Sequence, residues 1–184
     1  MGRLIMWNVL TLDGYFEGDT PWDLSFHQAV WGPELERFSL EQLGSADALI
    51  FGRKTYEGMA SYWQTAEGEG DVKAFMNGLP KFVFSRTLDS ADWNNTTLIN
   101  ENAAAAIPRL KAAGARDLYV FGSSDLSESL LKAHLFDEIR LCLAPVVLGA
   151  GRPLFPKGLA RQNWSLVSTR SLETGGVILK YRPA

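Results

Sequence analysis

The chain has 184 residues, of which 46% are apolar, 11% aromatic and 21% charged, the composition of an ordinary folded domain and not of a disordered chain. A single cysteine, Cys142, excludes an intrachain disulfide and any zinc site that needs two thiolates, and the two histidines, His27 and His134, cannot make an H-E-x-x-H helix. The 18 basic and 21 acidic residues are interspersed at a net −3, which leaves no basic block for nucleic acid, and no apolar run approaches the ~18 residues of a membrane-crossing helix.

Residues 4–12 form a dense apolar run, too short for a typical helix and suited to a strand buried on both faces, which Asp13-Gly14 ends. Residues 17–32 read as loop, with Trp22, Phe26 and Trp31 among Asp, Pro and Gly. A helix is predicted from Pro33, with Leu35, Phe38 and Leu43 on one face and Gly44 as its stop. Residues 48–51 predict a second buried strand, closed at Gly52 and followed by a helix over 54–62. Residues 66–72 read as a surface loop. Residues 82–84 predict a third strand ending at Ser85-Arg86, and 97–99 a weak fourth.

Residues 103–113 have helical propensity with Pro108 inside, so the helix either kinks there or has its regular part begin near it. Residues 118–121 predict a fifth strand. Gly122-Ser123-Ser124 then opens a helix with Leu126, Leu130, Leu131 and His134 on one side. Residues 139–148 predict a long sixth strand interrupted at Pro145, and 164–172 with 177–182 a closing hairpin around Gly175-Gly176. Most of the six tryptophans are expected in the core. Short apolar strands alternating with helices give an α/β domain over 1–184, its sheet covered on both faces. The lone thiol suits a reducing cytoplasm.

Three strand ends carry Gly or Ser before a helix or turn: Gly52-Arg53-Lys54-Thr55, Ser85-Arg86-Thr87 and Gly122-Ser123-Ser124. A helix N-terminus has unpaired N–H groups and a positive dipole end, and so can hold a phosphate. Glycine admits the ligand to the backbone, and hydroxyls add donors. The same residues equally make ordinary turns and an N-cap. Arg53 and Arg86 can bind the extra 2′-phosphate of NADP by forked bonds, or stand as surface arginines in weak ion pairs. Asp13 can donate a proton or anchor a substrate amine, or be an Asp-Gly turn. Trp22 and Trp31 can stack a flat heterocycle and His27 can touch a substrate; packing is the plainer role for all three. No metal site is expected.

In order and spacing, these pieces are similar to a known pattern. Leu12-Asp13-Gly14-Tyr15, the run from Leu49 to Glu57, Val83-Phe84-Ser85-Arg86, Val120 to Ser124, Leu135 to Ile139 and Pro145 to Gly151 carry the resemblance. The chain resembles the dihydrofolate reductase-like superfamily over nearly its whole length. It is most similar to stand-alone proteins like the reductase domain of bifunctional riboflavin-biosynthesis enzymes. The resemblance implies a three-layer fold: a mixed, mostly parallel sheet of about eight strands, helices on both faces and a C-terminal antiparallel hairpin.

The resemblance also implies that NADPH lies across the C-terminal sheet edge. Gly52, Arg53 and Thr55 would hold one part of its phosphates, Ser85 and Arg86 the 2′-phosphate end, and Gly122, Ser123 and Ser124 the pyrophosphate. Asp13 matches an aspartate placed at the substrate, and the loop of Trp22 and His27 would cover that substrate. The implied activity is an oxidoreductase on CH–OH or CH–NH groups. It would pass hydride to a small conjugated heterocycle or imine, either as a 5-amino-6-(5-phosphoribosylamino)uracil reductase or as a dihydrofolate reductase, in a homodimer. The alternative is a non-catalytic NADP(H)-binding or sensor protein on the same scaffold. Folate reductases carry a first-helix carboxylate, for which Glu34, Glu36 and Glu41 are the candidates. The zinc deaminase pattern and a phosphoribosyl-reading basic cluster are absent.

Overall fold

The apolar strand runs arise because helices flank both faces of one sheet. In the computed structural model, which describes residues 1–184, β1 (Leu4–Leu10) shows the rule. Ile5, Trp7 and Val9 enter one core, and Leu4, Met6 and Leu10 enter the other. On the first face lie α1 (Pro33–Gly44), α2 (Arg53–Thr65) and α3 (Gly70–Gly78), which bury Leu35 and Phe38, Tyr56 and Ala60, and Val72 and Met76. On the second lie α4 (Ala103–Ala113) and α5 (Ser124–Lys132), through Ala103, Ile107, Leu130 and Leu131.

The eight-stranded sheet uses β1 with β3 (Ala46–Gly52), β4 (Lys81–Phe84), β5 (Thr96–Ile99), β6 (Asp117–Phe121), β7 (Glu138–Leu143), β9 (Trp164–Ser171) and β10 (Val177–Pro183). Its order is β5-β4-β3-β6-β1-β7-β10-β9. The six strands from β5 to β7 are parallel; β10 runs antiparallel to β7, and β9 antiparallel to β10. This is the three-layer architecture the sequence led us to expect. No helix is long and apolar enough to cross a membrane.

Buried charges at the N-terminal edge are mutually satisfied. The Glu138 carboxylate accepts from Arg140 at 2.5 Å and from Arg3 and Arg182 at 3.2 Å each, and Arg3 forks onto Asp117 at 2.9 and 2.6 Å. Lys81, wholly buried at the start of β4, donates to the carbonyls of Asn77, Leu79 and Asn94. Burial pushes its ammonium down to about 8.

Several local expectations are corrected. Residues 66–72 are not all loop: α3 starts at Gly70, because Val72 and Met76, one turn apart, have a core to enter. The helix around Pro108 runs unbroken from Ala103 to Ala113, capped by Asn102, whose side chain accepts from Ala104 N–H at 2.8 Å. The sixth strand stops at Leu143, short of Pro145, and the first stops at Leu10. His134 lies beyond α5, exposed, with a φ of 53° where the chain turns off the helix, so it shares no core face with Leu130. Only Trp7 and Trp93 of the tryptophans are buried. A small antiparallel pair, β2 (Tyr15–Glu17) with β8 (Arg152–Pro153), was not foreseen, since its strands are distant in sequence and very short.

Candidate functional site

All six parallel strands end at one edge, and their register decides which residues meet there. Gly52 of β3 lies opposite Phe84 of β4. The β3–β6 and β1–β6 registers extend to Gly122 beside Gly52 on one side and Asn8 on the other. So β6 ends low between neighbours, and β1 climbs past it toward Asp13. The result is a notch over β3 and β6, walled on one side by the end of β1.

The notch is closed by a hydrogen-bonded knot. Gly52 N–H donates to Ser123 Oγ at 2.9 Å, and Ser123 N–H donates to Thr55 Oγ1 at 3.0 Å. Both hydroxyls act here as acceptors, so each keeps its own proton for an incoming oxygen. Gly122 has a φ of 55°, and a Cβ there would stand 3.3 Å from the Thr55 methyl; glycine is needed for both reasons. Ser124, the first residue of α5, is buried and its Oγ has no partner. Such an orphan at the donor-rich end of a helix fits a phosphate oxygen. The residues present therefore fit a dinucleotide phosphate group.

The end of β4 lies next along the edge. Ser85 Oγ accepts from the N–H groups of Thr87 and Leu88 at 3.1 and 3.0 Å, and Arg86 is exposed. Arg53 turns back along its own helix to Glu57 at 3.2 Å. An exposed pair of this kind holds the guanidinium by only about 0.3–0.5 kcal/mol, so a phosphate can take it over.

Asp13 stands above the notch. Its carboxylate accepts from Thr11 Oγ1 at 2.6 Å, from Gly149 N–H at 2.7 Å and from Leu148 N–H at 3.3 Å. The Thr11 hydroxyl, then these N–H groups, hold it below the usual carboxylate range. Asp13 is thus an ionised acceptor that ties down the 148–149 loop, not a stored proton.

The covering loop splits in two. Trp22 has a φ of 67°, its N–H donates to Glu17 Oε1 at 2.8 Å, and its indole lies on Gly58 of α2, where a Cβ would overlap the ring. Thr55 and Gly58 are one turn apart on α2, so the indole flanks the side of the helix that closes the notch. His27 instead packs edge-on against Phe26, with ring centroids 4.8 Å apart. Burial pushes it down to about 4, and its Nε2 has no partner, so it is uncharged and turned inward. Trp31 is exposed.

The first-helix carboxylates are occupied elsewhere or exposed. Glu34 accepts from Glu173 N–H at 2.6 Å, Glu41 pairs with Arg170 at 3.7 Å, and Glu36 faces solvent. Sequence reasoning missed Asn8 and Gly58. The signals were a polar residue inside an apolar strand and a glycine in a helix interior.

The family model for the RibD C-terminal domain matches residues 3–178. The uncharacterized protein YyaP of Bacillus subtilis (strain 168) is 30% identical over 185 residues, covering 97% of this chain and 94% of YyaP. A Shewanella sp. PV-4 protein ascribed to riboflavin biosynthesis superposes with a TM-score of 0.82 at 21% identity, covering 99% of each chain. Dihydrofolate reductase from Enterococcus faecalis, solved with NADP(H), superposes with a TM-score of 0.64 at 17% identity, covering 99% of this chain and 96% of that one.

Proposed function

Because the chain belongs to the RibD C-terminal domain family, which carries the dihydrofolate reductase-like fold, we propose that it is an NADPH-dependent reductase. Its substrate would be a small conjugated heterocycle or imine of the kind riboflavin-type reductases take. The observation that carries this reading is the Gly52–Ser123–Thr55 knot beside the orphaned Ser124 hydroxyl. Ser123, Ser124 and Thr55 would donate to the pyrophosphate, with Gly122 giving it access. Ser85 and Arg86 would take the 2′-phosphate, and Arg53 would leave Glu57 to join them. The strand of Arg86 lies three spacings from that of Asp13, roughly 14 Å at ~4.8 Å per strand, a span one extended dinucleotide can cover.

Bound NADPH would supply the hydride. Asp13 would hold a substrate N–H through Oδ2, which has a single donor, and Trp22 would wall the crevice against water. The test is NADPH titration followed by loss of its absorbance with a substrate panel that includes dihydrofolate and the ribosylaminopyrimidine. Binding with turnover of one substrate supports the reading, and no binding overturns it.

A second reading, a non-catalytic NADP(H) sensor, is favoured by one observation: neither the ionised Asp13 nor the neutral, half-buried His27 is poised to give up a proton at neutral pH. Tight NADPH binding without reduction across the panel selects it. The homodimer implied by the resemblance would form at the outer strand, β9, which exposes Leu166 and Val167. A cytoplasmic address belongs to the same reading.

A further inference from the structure

Asn8 interrupts an apolar face. Along β1 the residues turned toward α4 and α5 are Leu4, Met6 and Leu10, and Asn8 occupies the remaining position among them, 5% exposed, with Nδ2 lacking any partner. A desolvated donor with no acceptor is costly and calls for an explanation. Its place gives one. The register sets Asn8 against Gly122, where β6 stops and the turn into α5 begins, with Leu141 on its other flank. Ser124, two residues beyond Gly122 and 8% exposed, carries a second orphaned polar atom.

Both groups can donate, as can the first N–H groups of α5. The carboxylate of that first turn, Asp125, is neutralised by Arg152 at 2.5 Å. A cluster of donors without an opposing charge selects an anionic oxygen over a cation or an amine.

We infer that Asn8 is a ligand-binding residue, whose Nδ2–H donates, beside the Ser124 hydroxyl, to an oxygen of a bound diphosphate. The inference rests on the NADPH reading and deepens it: the diphosphate is that of the cofactor. An uncharged amide at this depth grips the oxygen without bringing a second buried charge, which would need its own partner.

The test uses the full chain with Asn8→Leu, which keeps the branching and the number of heavy atoms and removes the donor, and Asn8→Asp, which keeps the shape and adds a negative charge. NADPH affinity is read by quenching of tryptophan fluorescence, and melting of the unliganded protein is read alongside. Asn8→Leu should raise the unliganded melting temperature, since an orphaned donor is gone. It should weaken NADPH at least about tenfold, the scale of a lost hydrogen bond to a charged group. Asn8→Asp should weaken NADPH further.

Inorganic pyrophosphate should follow the same ranking, while 2′-AMP should bind all three proteins alike. Affinity for NADPH within twofold of the parent in both variants overturns the inference and leaves Asn8 a hydrated structural residue. If Asn8→Leu does not fold, Asn8→Asp decides alone. If the parent protein binds pyrophosphate in an Asn8-dependent way but not NADPH, the site stands and the cofactor reading falls. Binding of neither overturns both.

Discussion

Gly58 should become a different kind of residue once Trp22 is removed. Glycine in the interior of α2 costs about 1 kcal/mol relative to alanine, yet here it makes room for the indole. Trp22 is 40% exposed, so roughly 150 Å² of it is covered. Losing all that cover would cost ~4 kcal/mol at about 25 cal/mol per Å². Gly58→Ala expels the ring, but it also gains about 1 kcal/mol of helix propensity and frees Trp22 from a left-handed backbone worth ~1–2 kcal/mol.

The expected net loss is about 1–2 kcal/mol, a fall in melting temperature of roughly 2–8 °C for a domain of this size. With it should come easier proteolysis within residues 18–24 and stronger iodide quenching of Trp22 fluorescence. In a Trp22→Ala background the same Gly58→Ala change should stabilise by about 1 kcal/mol, because only the helix term remains. That reversal of sign is the decisive result. Equal destabilisation in both backgrounds would show that α2 is disturbed by something other than the indole, and the role of Trp22 as a wall of the crevice would be withdrawn.

Four further outcomes are expected. Changing Arg53 and Arg86 together to Ala should weaken NADPH at least about tenfold more than NADH, since forked arginine–phosphate bonds are lost only with the former; equal losses would show that these arginines do not read a 2′-phosphate. His27 is depressed to about 4 from 6.5, so the unfolded chain binds more protons between those values and stability should fall as pH drops from 6.5 toward 4, by up to about 3 kcal/mol. His27→Gln should flatten that decline in acid-melting curves, and an unchanged slope would assign it to other groups. Glu138→Ala should cost about 3–5 kcal/mol by chemical denaturation, because Arg140 is left buried beside two further arginines; a loss under 1 kcal/mol would mean that water reaches the cluster. Leu166→Lys on β9 should convert a dimer to monomers by light scattering, and a parent protein that is already monomeric removes the dimer proposal.

The strands and their glycine- and serine-bearing ends were legible in the sequence because each is a local signal. An apolar run of strand length closed by Gly52, Ser85 or Gly122 says where a strand stops, and parallel strands stop at one edge. Helix α3 was not legible because Gly70 and Asp71 look like loop, and only the cavity that takes Val72 and Met76 makes the segment wind up. Asp13 was recognised at the right edge, but its protonation could not be read locally. The strongest of its donors, the Thr11 hydroxyl, is two residues away, but the N–H groups of Leu148 and Gly149 that complete its shell are more than 130 residues away. Trp22 and His27 look alike in sequence as members of one aromatic loop, yet one lies on Gly58 and the other is sealed against Phe26.

By itself, the chain of 184 residues determined an α/β domain with a single thiol, no thiolate metal site, and three phosphate-suited strand ends. The tertiary structure alone decided which of those ends touch. Strand register is set by packing on both faces of the sheet, and it brought Gly52, Gly122 and Asn8 into one row and joined Ser123 to Thr55 across 68 residues.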